Sequence, residues 1–119
     1  MMLAILATAR AHDSQYDWTI HEPLARDAGV EPALIEAIGR GDRPACLAEA
    51  DDALLAFADE LFDDNNVSAD TYRRMEEAFG VTDLVDLVAL MGAHAADAAV
   101  LAAFDQQLPD GVEARLPMP

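Results

Sequence analysis

The stretch S14-Q-Y-D-W-T-I-H-E-P-L-A-R-D-A-G29 decides how the rest of the chain is read. Its composition and spacing predict a helix. Ser14 suits an N-cap, Gly29 suits the residue just past the end, and Ile20, Leu24 and Ala28 repeat at i, i+4 and i+8 as an apolar stripe. Asp17 and His21 are four residues apart, so acid and imidazole lie one above the other on one face. Trp18, the sole tryptophan, and Tyr16 flank them. Pro23 has no N–H for the Thr19 carbonyl, so the helix is expected to kink there and leave that acceptor free.

Working outward, Met2–Ala11 has Leu3, Leu6 and Ala7 at helical spacing. Pro32 suits the first turn of a short helix through Ile38, and Gly39, Gly41 and Pro44 break it. Cys46–Phe62 carries Leu47, Ala50, Leu54, Phe57 and Leu61 at spacings of three and four. Asp63-Asp64-Asn65-Asn66 is a turn. Ser68 caps a helix from Ala69 to Phe79 that Gly80 closes, and Thr82 caps a long one from Asp83 to about Gln107. No strand-period run of useful length appears. The expectation is an all-α domain of about six helices over residues 1–109, followed by an extended tail over 110–119.

Composition narrows the function classes. The net charge is −16, with 23 acids against 7 bases. Every base is arginine, so Schiff-base chemistry on a lysine is excluded. The acidity disfavours nucleic acid and anionic membranes as partners. The rhythm of LARDAGVEPALIEAI resembles a helix-turn-helix, but its second helix would present Glu31 and Glu36 to phosphates and has no base before Arg40. No run of 18 uncharged apolar residues predicts a membrane span, and no basic region precedes the apolar start as in a signal peptide. One cysteine, Cys46, permits neither an intrachain disulfide nor a thiolate metal cluster, which fits a reducing cytoplasm. The hydrophobic fraction of 53% is rich in alanine, which buries little area, so a homo-oligomer is expected.

Two segments carry a family resemblance. Tyr16-Asp17-Trp18-x-x-His21, followed by Gly29, is similar to the Y-E-W-x-x-H motif of the carboxymuconolactone decarboxylase family, within the alkylhydroperoxidase D-like superfamily. FADELFDDNNVSADTYRRMEEAFGVTDLVDLVALMGAH resembles the second half of the same domain. The likeness covers roughly residues 2–109. It departs from the family at Asp17, where Glu is usual, and at Met2, where Glu is also usual. Family members usually have further helices before Met2, so either the chain is a member shortened at that end or its true start lies upstream.

The resemblance implies a carboxymuconolactone decarboxylase-like helical fold, assembly as trimers or hexamers, and cofactor-free acid/base chemistry on a small lactone or keto acid. His21 is then the proton carrier, Asp17 its orienting partner, and His94, set among Gly92, Ala93, Ala95 and Ala96, a second catalytic candidate. Trp18, Tyr16 and Arg10 are candidates for binding substrate, with Arg10 or Arg26 holding a carboxylate. Asp97, three residues after His94, is a candidate partner for it. A metal site drawn from His21, His94, Asp17 and Asp97 would have no tight ligand spacing, so none is expected. Peroxidase-type relatives carry C-x-x-C-x-x-x-H; counted back from His21, those cysteines fall on Ser14 and Asp17. Thiol peroxidase is therefore the weakest reading. A non-catalytic oligomeric module of the same fold is the main alternative to a decarboxylase-like enzyme.

Overall fold

Leu3 to Ala9 of the first helix are buried without interruption, so that helix must be surrounded. The computed structural model, which describes residues 1–118, shows how. The helices are α1 (Met2–Ala11), α2 (Gln15–Asp27), α3 (Pro32–Gly39), α4 (Glu49–Asp59) and α5 (Ala69–Ala103), with a π-helical turn over Glu60–Asp64. There is no strand among the described residues. Helix α1 packs against α2, α3, α4 and α5 at once. Its one hydroxyl, on Thr8, is satisfied inside the helix by donating to the Ala4 carbonyl at 2.8 Å. Ile35, Met75 and Met91 complete the core around its Leu6.

Helix α2 ends as its sequence predicts. Gly29 has φ +92°, its N–H bonds the Arg26 carbonyl at 3.1 Å, and the Val30 N–H reaches Ala25 at 3.0 Å. This is the paired closure that a left-handed glycine permits. The helix continues through Pro23 to Asp27. Two expectations for α2 need correction. Ser14 occupies the N-cap position, but its side chain makes no capping bond. The stripe Ile20-Leu24-Ala28 faces outward, with Leu24 51% exposed, while Trp18, Glu22 and Ala25 face in. The inward face is hard to see in the sequence because it carries a carboxylate. That carboxylate is tolerable because Arg26 bonds Glu22 at 2.5 Å, one helical turn away.

Helix α4 begins at Glu49, so Cys46 and Leu47 lie before it and Cys46 is exposed. The α4–α5 pair is latched by polar contacts. Arg74 bonds Glu49 and Asp52, each at 2.7 Å. Glu60 accepts from the Ser68 N–H at 2.8 Å and from the Thr71 hydroxyl. The Arg74 hydrogen bond holds Asp52 below the usual carboxylate range, and the Thr71 and Ser68 donors do the same for Glu60.

The Ser68 hydroxyl caps α5 by accepting from the Thr71 N–H at 3.2 Å. At Gly80, φ +78° and ψ 162° bend the helix sharply, a conformation that is essentially glycine's alone. The two arms meet where the sequence predicts one helix to stop and the next to begin, so six straight segments result. The second arm stops at Ala103, a turn before Gln107. Only one narrow face of it packs inward, through Leu84, Leu87, Met91 and Ala98. Tyr72, Val81, Val85 and Val88 are exposed.

The segment after α5 folds back along α2. Gln15 donates to the Leu116 carbonyl at 2.8 Å and accepts from the Leu116 N–H at 2.7 Å. The Arg115 N–H bonds the Thr19 hydroxyl at 3.0 Å, and Leu116 is buried. Arg10 clamps the same strap by donating to the carbonyls of Pro117 at 2.7 Å and Gly39 at 2.8 Å.

Candidate active site

Asp17 is a buried carboxylate, 6% exposed, on the first turn of α2. Its two oxygens are divided between two imidazoles. Oδ1 lies 3.0 Å from Nδ1 of His21, and Oδ2 lies 2.8 Å from Nδ1 of His94. His21 Nδ1 hydrogen-bonds the Asp17 backbone carbonyl at 2.8 Å, with Oδ1 as the neighbouring charge. The ring centroids are 5.3 Å apart and nearly perpendicular, at 87°. Spacing on α2 supplies the first pair. The second joins residues 77 positions apart, brought together because the second arm of α5 packs beside α2.

The chemistry follows from which nitrogens are used. A neutral histidine carries one N–H and one lone pair. With Nδ1–H of each ring directed at Asp17, each Nε2 is left as a lone pair able to take a proton, or as an N–H able to give one. Asp17 thus orients both proton carriers, His94 through its carboxylate and His21 through its backbone carbonyl. Both rings are partly exposed.

The other residues singled out from the sequence lie elsewhere. The carbonyl that His21 uses belongs to Asp17, not to Thr19. Asp97 is exposed, and it is Asp17 that holds His94. Arg10 is engaged by the strap and by Asp13 at 2.5 Å, and Arg26 by Glu22. Neither guanidinium is directed at the histidines. Tyr16 is half-buried, and Trp18, 2% exposed, is a core anchor packed on Gly39. Cys46 lines a separate cleft with Leu34 and Pro44. Among the described residues, no group of three or more His, Cys, Asp or Glu is arranged to hold a metal ion. Sequence reasoning missed Glu22. Its spacing of four from Arg26 was the available signal.

The helices and their connections define the alkylhydroperoxidase D-like helical fold. The chain is similar to a solved structure of a protein of unknown function from Agrobacterium tumefaciens, suggested there to be an antioxidant defence protein AhpD. The TM-score is 0.77 at 18% identity, over 90% of this chain and 77% of that one. At that identity the likeness establishes the fold. No family model matches the chain, and no curated protein matches it.

Proposed function

We propose that the chain is a carboxymuconolactone decarboxylase-like protein that moves protons, without a cofactor, on a small lactone or keto acid. The observation that carries this reading is the shared carboxylate: Asp17 holds His21 and His94 by their Nδ1 atoms. Decarboxylation breaks the carbon–carbon bond to a carboxylate and leaves the electron pair on carbon or on an enolate oxygen. The product then needs a proton at that carbon. Carbon dioxide leaves, and His21 as the imidazolium delivers the proton from Nε2 and ends neutral, with Asp17 orienting the ring and His94 as the second carrier. Asp17 stands where peroxidase-type relatives place a cysteine, which argues against thiol peroxidase chemistry at this position.

The test is turnover of a panel of lactones and keto acids by the native chain and by His21→Ala. The variant is expected to lose about 10²–10⁴-fold in kcat, with stability changed by about 1 kcal/mol. Unchanged turnover in the variant would sink the assignment. One observation favours the alternative, a non-catalytic module of the same fold. The clefts lined by Arg10, Cys46, Tyr72 and Trp18 include neither His21 nor His94. No measurable turnover across the panel would favour that alternative.

Assembly bears on both readings. Ile20 and Leu24 expose apolar surface beside His21, and α5 does the same through Val81, Val85 and Val88. Helix α5 is long and apolar enough to cross a membrane by length and composition alone, and most of that apolar stretch is not buried. We assign that surface to contacts between copies of the chain, because large exposed apolar patches mark interaction sites. Light scattering at micromolar concentration is expected to give a trimer or hexamer of the 12.8 kDa chain. A clean monomer would refute the assignment.

A further inference from the structure

Delivering one proton after carbon dioxide has left needs one imidazolium. The Asp17 site holds two imidazoles, so one of them has no step of its own. The carboxylate stands 3.0 Å from Nδ1 of His21 through Oδ1 and 2.8 Å from Nδ1 of His94 through Oδ2. One carboxylate balances one positive charge, and the ring centroids are only 5.3 Å apart, so two imidazolium rings would repel. The charge-balanced form of the trio is therefore one imidazolium and one neutral imidazole. That is one acid and one base, side by side.

Both reactive atoms are open. The recorded bonds of the two rings use Nδ1, and neither Nε2 has a partner among the described residues. Trp18 Nε1 is the sole side-chain nitrogen or oxygen there that is both buried and unpartnered, so each histidine Nε2 keeps contact with solvent. The surroundings favour an uncharged substrate. All seven arginines are paired with acids other than Asp17, so no guanidinium joins the trio to hold a substrate carboxylate. Apolar surface is present instead. Ile20, next to His21, is 37% exposed, and Leu24, one turn further on, is 51% exposed. A small lactone fits these surroundings, and it has no carboxylate to lose.

We propose that the pair also isomerises small β,γ-unsaturated lactones to their α,β-unsaturated forms. The proposal rests on the reading of His21 and His94 as proton carriers. His94, neutral at the start, removes a proton from the carbon between the carbonyl and the double bond. The electron pair of that C–H bond moves into the ring as a dienolate, with the charge on the carbonyl oxygen. His21, the imidazolium, delivers its Nε2 proton to the γ carbon, and the double bond comes to rest beside the carbonyl. One proton leaves the lactone and one is returned, so no oxidant, reductant or leaving group takes part. His94 ends as the imidazolium and His21 ends neutral. Because the carboxylate stands beside both rings, the positive charge stays balanced as it changes ring. Exchange with water at the open Nε2 atoms restores the starting form.

The experiment is incubation of the native chain with α-angelica lactone in deuterium oxide, followed by proton NMR. The expected product is the conjugated isomer, formed faster than in buffer alone and carrying solvent deuterium at the γ carbon. His21→Ala and His94→Ala should each lower the rate by about 10²–10⁴-fold, or to the buffer rate. The double variant should fall little below the slower single one, as for two groups that act in one step. His21→Gln and His94→Gln replace any alanine variant that circular dichroism shows to be unfolded. This lactone cannot lose carbon dioxide, so the result is separate from decarboxylation. Isomerisation without carbon dioxide release from keto acids supports the proposal and counts against the decarboxylase reading. Absent isomerisation overturns the proposal, and carbon dioxide release in the same preparation would then leave the decarboxylase reading standing. A folded single variant that isomerises at the native rate overturns it as well.

Discussion

Trp18→Ala is expected to remove about 3–5 kcal/mol of folding stability, the cost of deleting a large aromatic from a packed core. A domain of this size holds about 5–15 kcal/mol in total, so the variant should melt far below the native chain. Trp18 is 2% exposed and wedged against Gly39 from the neighbouring helix, so nothing nearby can collapse to fill the space without moving α3 or the strap. Trp18→Phe should cost less. It keeps most of the ring and removes a buried donor that has no partner, and such a donor is itself worth about 1–3 kcal/mol of penalty. Thermal unfolding by circular dichroism at several protein concentrations checks both, since contacts between copies would make the midpoint concentration-dependent. A Trp18→Ala melt within a few degrees of native would refute the core assignment.

Replacing Asp17 is expected to have the largest effect on the site. In Asp17→Ala, His94 loses its only acceptor among the described residues, while His21 keeps the backbone carbonyl of residue 17. The stability cost should therefore come mainly from His94, at about 1–3 kcal/mol, and any turnover should fall by about 10²–10⁴-fold. Asp17→Asn is the sharper variant. It keeps the shape but presents one acceptor and one donor where the native residue presents two acceptors. His21 keeps the backbone carbonyl as acceptor for its Nδ1–H, so His94 is the imidazole expected to change tautomer or turn away. Nitrogen-15 spectra of the ring nitrogens should show both histidines protonated at Nδ1 in the native neutral state and only one in Asp17→Asn. Unaltered ring spectra would show that Asp17 does not set the tautomers.

The helical architecture was legible because its punctuation is local. Gly29 and Gly80 adopt the positive φ that closes a helix or bends one, and Ser68 caps through its own hydroxyl. The facing of α2 was not legible. Ile20 and Leu24 look like a core stripe, but apolar residues at helical spacing mark any covered face, including one turned away from the chain's own core. The buried face instead holds Glu22, which a hydropathy pattern assigns to solvent. The acid–imidazole pair on α2 could be read from its spacing of four. His94 could be picked out by its apolar surroundings, but not its partner. Asp97 is near in sequence, whereas Asp17 is reached only once α5 has folded back beside α2, and no local pattern encodes that docking. The strap was equally hidden, because its contacts fall on backbone groups that any residues would present.

That strap has a consequence for how the molecule is made. Gln15 and Thr19 hold Arg115 and Leu116, and Arg10 holds Pro117, so residues near the start of the chain wait for partners about a hundred positions later. During synthesis α1 to α4 leave the ribosome well before residues 115–118 do. Until then the polar groups of α2 face water, Arg10 lacks its bond to Pro117, and the cleft beside Trp18 lacks a wall. Completion of this side of the protein therefore waits until residues 115–118 have left the ribosome.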